Sequence, residues 1–161
     1  MAVDMFLKIE GDISGEAQDK KHKKEIDVLA WSWGMSNSGT FHAGGGGGSG
    51  KANFQDISVT KWVDISSPIL QLFCANGDQF PSATLVCRKA GKNPLEYIKI
   101  VMKKVIVTSV STGGSGGEDR LTENISLNFR DIEFYYQEQK EDGSGGDKKD
   151  FKWSIAENAQ L

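Results

Sequence analysis

The run Gly45-Gly46-Gly47-Gly48-Ser49-Gly50-Lys51 fills the first seven positions of a phosphate-binding loop. Such a loop cradles phosphate with backbone N–H groups, places its lysine on the outer phosphates and a Ser or Thr hydroxyl on magnesium, and opens a helix. The next residue here is Ala52, which offers magnesium no oxygen, and the chain beyond it alternates as a strand. In a tract so rich in glycine the two required glycines carry no information. A flexible hairpin tip is the better reading.

The remaining candidates are sparse. His22 and His42 both fall in segments read as loops, without partners at ligand spacing, so solvent-exposed histidines are expected. Glu118-Asp119-Arg120 offers two carboxylates, but neighbours on a strand point to opposite faces and do not converge. A surface or intersubunit ion pair is the expectation there. Asn124-Ile125-Ser126 matches a glycosylation acceptor inside a strand and is discounted. Asp19 to Glu25 reads as a solvated charged loop. Cys74 and Cys87 lack zinc-like spacing and read as reduced, buried thiols, although a single disulfide stays open. Trp31, Trp33, Trp62 and Trp153 suit either a ligand-stacking platform or the core, and the core is favoured. No catalytic set, metal site or cofactor site is expected.

The elements that position these residues are mostly strands, because the dominant period is two. Val3, Met5, Leu7 and Ile9 alternate. From Ile26 to Ser36, Leu29, Trp31, Trp33 and Met35 share a large apolar face, while Ala30, Ser32, Gly34 and Ser36 share a small one. Ile57, Val59 and Val63 oppose Asp56, Ser58 and Thr60; Leu85 and Cys87 mark a shorter strand; Tyr97 to Val110 is long and β-branched. Leu121, Ile125, Leu127 and Phe129 alternate against Thr122, Asn124, Ser126 and Asn128. At Arg130-Asp131 the phase slips by one, and Ile132, Phe134 and Tyr136 continue it, as a β-bulge would produce. Phe151, Trp153 and Ile155 suggest a last strand. One helix is predicted over 67–76, with Ser67 as N-cap, Pro68 in the first turn and Asn76-Gly77 as C-cap.

The expected fold is therefore mostly β: a barrel or sandwich with two long hairpins, about 26–63 and 97–136, and one short helix. The polar faces of both hairpins are small, where exposed strands usually carry Lys and Glu to block edge pairing. Such edges call for partners.

The 161 residues suffice for one domain over 1–161, and a chain of this length buries about 70% of its unfolded surface. A net charge of −3 disfavours nucleic acid or an anionic membrane as partner. No apolar run reaches the ~20 residues of a membrane helix. The start, Met1-Ala2-Val3-Asp4-Met5-Phe6, lacks the basic and apolar regions of a signal peptide, which predicts a protein made in the cytosol.

Two long motifs resemble the Hcp (haemolysin-coregulated protein) family. They are Glu25-Ile26-Asp27-Val28-Leu29-Ala30-Trp31-Ser32-Trp33-Gly34 before the glycine tract, and Ser111-Thr112-Gly113-Gly114-Ser115-Gly116-Gly117-Glu118-Asp119-Arg120-Leu121-Thr122-Glu123-Asn124. The opening Ala2 to Ile9 fits as well. The resemblance implies a non-enzymatic tube subunit of the bacterial type VI secretion system. Its hexameric rings stack inside a contractile sheath, behind a spike, and in some members hold small effector proteins in the channel before secretion without a signal peptide. On that resemblance Ser32, Gly34, Ser58, Thr60, Thr122, Asn124, Ser126 and Asn128 are expected to line the channel. Thr40, Phe41, His42, Gly44, Gly45, Gly46, Gly47, Gly48 and Lys51, with Ser115, Glu118 and Asp119, are expected in loops that dock ring on ring. The competing reading is a monomeric β-sandwich binding module of carbohydrate or adhesion type.

Overall fold

The structure, a computed structural model, describes residues 2–39 and 51–161. Its strands are β1 (Val3–Ile9), β2 (Ile26–Ser32), β3 (Met35–Ser36), β4 (Asn53–Phe54), β5 (Ile57–Trp62), β6 (Gln79–Lys89), β7 (Leu95–Thr112), β8 (Thr122–Gln139), β9 (Gly145–Ser154) and β10 (Ala159–Gln160). The helix α1 spans Ser67–Asn76. All strand pairings among the described residues are antiparallel. The order β8-β5-β2-β1-β6-β7 closes on itself through β7–β8, giving a six-stranded barrel with β9 and β10 added outside β8. β3 and β4 form a separate pair.

Period-two alternation fills the barrel. Leu7, Ile9, Ile26, Val28, Ile57, Val59, Ile100, Met102, Ile125, Leu127 and Ile132 point inward and are buried. Removing such side chains from water is the main favourable term, about 1.5–3 kcal/mol for each fully buried one. α1 packs against β7 with Leu70 buried and Phe73 stacked on Phe80 at 4.9 Å. It ends at Gly77, whose φ of 73° is the left-handed cap conformation that glycine adopts without strain.

The predicted helix span holds, but its N-cap is Ser66, not Ser67, and Ser66 makes no side-chain cap bond. Ser67 turns inward to a buried charge network instead. The strand around Leu85 is longer than expected, and the last long strand runs from Gly145 to Ser154.

Two phase readings need correction. Leu29 and Met35 do not share the core face of Trp31. The β2–β5 register shifts between Val28 and Ala30, so Val28 points inward while Leu29 is exposed, as is Met35. At Arg130-Asp131 the slip is real, since burial passes from Phe129 to Ile132, but β8 has no register shift there against β7. β7 slips alongside it: Met102 and Val105 are buried, and Lys104 between them has φ 53°. The β7–β8 register shift falls at Thr108, between Val107 and Ser109.

Antiparallel connectivity sorts the connections between two ends of the barrel. The first end carries 10–25, 63–78 with α1, 113–121 and the β9–β10 turn. The second carries the β2–β5 connection, 90–94 and 140–144.

Candidate functional site: a polar wall

Because inward and outward residues alternate, each apolar row inside the barrel fixes a row outside it. On the β2–β5–β8–β7 side, Ser32 lies opposite Ser58 and Ser58 opposite Ser126; Ala30 lies opposite Thr60 and Thr60 opposite Asn124. These residues tie to one another. Thr60 Oγ1 donates to Asn124 Oδ1 at 2.6 Å, and the Ser109 and Ser126 hydroxyls are 2.5 Å apart. Asp56 receives Thr108 Oγ1 at 2.6 Å and Asn128 Nδ2 at 2.8 Å. Thr122 stands opposite Trp62 at one edge, and Gly34 faces Gln55 beyond β2. The eight residues expected on one polar face are thus carried by the β2–β5–β8 side and its margin. Thr108 and Ser109 join them unforeseen, turned outward by the bulge at Thr108. The Thr-Ser pair inside an otherwise apolar run was the available signal.

Behind this wall lies a buried ionic network. Lys61 Nζ donates to Glu123, to Asp64 Oδ1 at 3.0 Å and to the Trp62 carbonyl at 2.9 Å. Glu123 accepts Ser67 Oγ at 2.6 Å and Thr112 Oγ1 at 3.0 Å. Lys61 and Glu123 are both fully buried, so one cluster joins β5, β7, β8 and the start of α1.

Asp19 to Glu25 is a loop with its four lysines exposed, as expected, but its histidine is not solvent-exposed. His22 is buried, stacked on Phe6 at 4.4 Å, with Nδ1 3.0 Å from Glu25 and Nε2 2.7 Å from Glu96. Across the same ring, the Arg88 guanidinium lies 5.2 Å from the Phe6 centroid and pairs with Asp19 at 2.5 Å and Asp4 at 3.1 Å. That guanidinium holds the Asp19 carboxyl well below its ordinary range.

The expected docking residues separate. Ser115, Glu118 and Asp119 are exposed at the first end. Arg120 lies over Trp62, 4.5 Å from its ring. Lys51 is exposed on the β2–β5 connection, at the second end. Thr40, Phe41, His42 and Gly44 to Gly48 lie outside the described residues. The tryptophans form no platform: Trp31 donates to Cys87 Sγ at 3.2 Å, Trp33 packs between Phe54 and Phe134, and Trp153 packs between Phe54 and Phe151. Both cysteines are free, and burial raises the pKa of the Cys87 thiol.

Fold and wall together define a small closed-barrel protein, smooth and self-bonded on one side. Residues 6–136 match the family described as type VI secretion system effector, Hcp. The chain is 58% identical to Protein hcp1 of Pseudomonas aeruginosa over 163 residues, covering 99% of each. Its fold is similar to a solved type six secretion system protein (31% identity, TM-score 0.93, 99% and 100% of the two chains). It is also similar to Hcp1 from Salmonella typhimurium, with 34% identity, TM-score 0.81 and complete coverage of both chains. The chain belongs to the Hcp family, the tube proteins of the type VI secretion system.

Proposed function

We propose that six copies of this chain close into a ring whose bore is lined by the β2–β5–β8–β7 wall, and that rings stack into the expelled tube. The observation that carries this is the Ser32–Ser58–Ser126 and Thr60–Asn124 ladder. An exposed sheet normally carries charges that discourage pairing with other molecules. Here small hydroxyls and amides leave a bore open and hold cargo through weak, reversible contacts. The tube acts as a structural conduit rather than a catalyst, inside a contractile sheath, behind a spike, with small effectors in its channel. The subunit waits in the bacterial cytoplasm and leaves through the apparatus itself. The exposed Ser115, Glu118, Asp119 and Lys51, with the 40–48 segment, meet at the junction between rings.

Light scattering after size exclusion tests the ring: the expected mass is six times the 17.6 kDa chain. Ser32→Trp and Ser126→Trp test the wall. Both should keep the ring mass and lose retention of a co-expressed effector. Undiminished cargo retention would remove the wall from the bore.

A further inference from the structure

A notch of about 530 Å³ lies where the sheet forks. The pairing of β7 with β8 ends at Ile98 opposite Tyr136. Beyond that point β7 runs on beside β6 alone, with Glu96 opposite Arg88 and Leu95 opposite Lys89. β8 runs on beside β9 alone, with Gln137 opposite Lys148 and Gln139 opposite Gly145. Two prongs result, and residues 95–97 and 137–139 have no strand partner on the side that faces the notch. The sequence gives a reason for the fork. The same register carried further would set Glu96 against Glu138, and like charges directly opposite are destabilising. Glu96 instead meets His22 Nε2 at 2.7 Å.

The chain has three tyrosines, and all of them, Tyr97, Tyr135 and Tyr136, line this notch. Its charges are uneven. Lys99, Lys148 and Lys149 line it and are exposed, with no carboxylate within 4.0 Å among the described residues. The lining carboxylates are engaged, Glu96 with His22 and Asp150 with Lys152 at 3.9 Å. Aromatic faces hold two cations in place: Lys99 lies 5.9 Å from the Tyr135 centroid and Lys89 4.9 Å from that of Tyr97. Further out the charge is mixed. Lys92 is exposed on one prong, and on the other Lys140 is set against exposed Glu138, Glu141, Asp142 and Asp147. The uncompensated ammonium groups are therefore confined to the notch itself.

We propose that the notch is a docking site for an extended, acidic segment of a partner protein. Main-chain groups of 95–97 and 137–139 bond to it as strands do, alternate side chains rest on the tyrosines, and its carboxylates meet Lys99, Lys148 and Lys149. A nucleic acid suits the notch less well, because its unbroken phosphate track would run out over Glu138 and the acidic β8–β9 turn. A peptide carries its carboxylates only where the ammonium groups lie. The proposal goes beyond the ring and the polar wall and depends on neither.

Fluorescence anisotropy of the full chain with a labelled short peptide of alternating glutamate and valine tests it. Binding should saturate, and a peptide of alternating lysine and valine should not bind. Lys148→Glu with Lys149→Glu should weaken binding roughly tenfold or more, at a mass by light scattering equal to that of the wild type. The acidic peptide with its valines N-methylated should also bind more weakly, since it has lost main-chain donors. On binding, hydrogen exchange should slow at 95–97 and 137–139. Absence of saturable binding, equal binding of the lysine peptide, or an undiminished affinity in the reversed variant would each overturn the proposal. So would protection confined to the outer edge of β9. Inorganic polyphosphate that binds as tightly as the peptide and is lost in the same variant would make the notch a general anion surface, and that outcome overturns it too. In every one of these cases a ring mass in light scattering leaves the ring reading intact.

Discussion

Lys61 and Glu123 occupy positions where these strands otherwise send an apolar side chain into the core. Their burial is tolerated because every donor of the ammonium and both carboxylate oxygens have partners. Such a pair adds little net stability but is costly to break from one side. Lys61→Met, or Glu123→Leu, should therefore lower unfolding stability by about 3–5 kcal/mol, while the double change recovers most of the loss. Denaturant melts of all three variants check this, and a double variant no better than the singles would deny the coupling. The pair was legible in the sequence: Lys61 sits between Val59 and Val63, and Glu123 between Leu121 and Ile125, in the inward phase. His22 was not. Its burial depends on Phe6, Arg88 and Glu96, which are brought together only when β1, β6 and β7 pair, so no local pattern announces it.

Asp19, in the same segment, gives the pH dependence a sign. Arg88 holds its folded carboxyl below the unfolded value. Its contribution is thus present above the unfolded value, near pH 4, and is lost as pH falls toward the folded one. Asp19→Asn should be less stable than the wild type at about pH 7, with the gap closing below about pH 4. Melts of both proteins across that window provide the measurement; a gap constant with pH would count against the Arg88 pairing.

At the scale of elements, alternation and glycine punctuation carried most of the fold. Helix α1 was bounded by its Pro and Gly, and the two hairpins by their glycine tips. What alternation misread were the offsets. Leu29 is turned out by a bulge that neither neighbour encodes, and the slip at Arg130 is shared with Lys104 on β7, visible only once the two strands are aligned. The polar wall was read on three strands but not on β7, because the bulge at Thr108 changes which residues face out. The 10–25 segment depends on one close approach. A Cβ on Gly15 would lie 2.5 Å from the Glu25 carbonyl oxygen and 2.7 Å from the Ile26 Cα, both backbone atoms that cannot step aside cheaply. Gly15→Ala should cost about 1–3 kcal/mol, as overpacking does. It should also raise hydrogen exchange at Ala17 and Lys24, whose amides bond across the segment. Unchanged exchange would mean that the segment absorbs the methyl elsewhere.

For the whole molecule, the barrel is closed but not evenly sewn. β1 pairs with β2 at only two registered positions, Phe6 with Asp27 and Leu7 with Ile26, while its other side pairs with β6 over its full length. Near that short seam Val3 and Leu29 are exposed at 40% and 38%, more apolar surface than a closed barrel needs to show. Subunit contacts that cover such surface bind the folded chain and not the unfolded one, so they must stabilise it by mass action. The unfolding midpoint should accordingly rise with protein concentration across the range in which light scattering sees the ring assemble. Ser126→Trp, which alters only the polar wall, should follow the same concentration dependence. Leu29→Lys should weaken the ring and flatten the dependence, because it buries a charge wherever a neighbour covers that position. A midpoint independent of concentration, together with a single-chain mass, would mean that the seam needs no neighbour and that the barrel is complete alone.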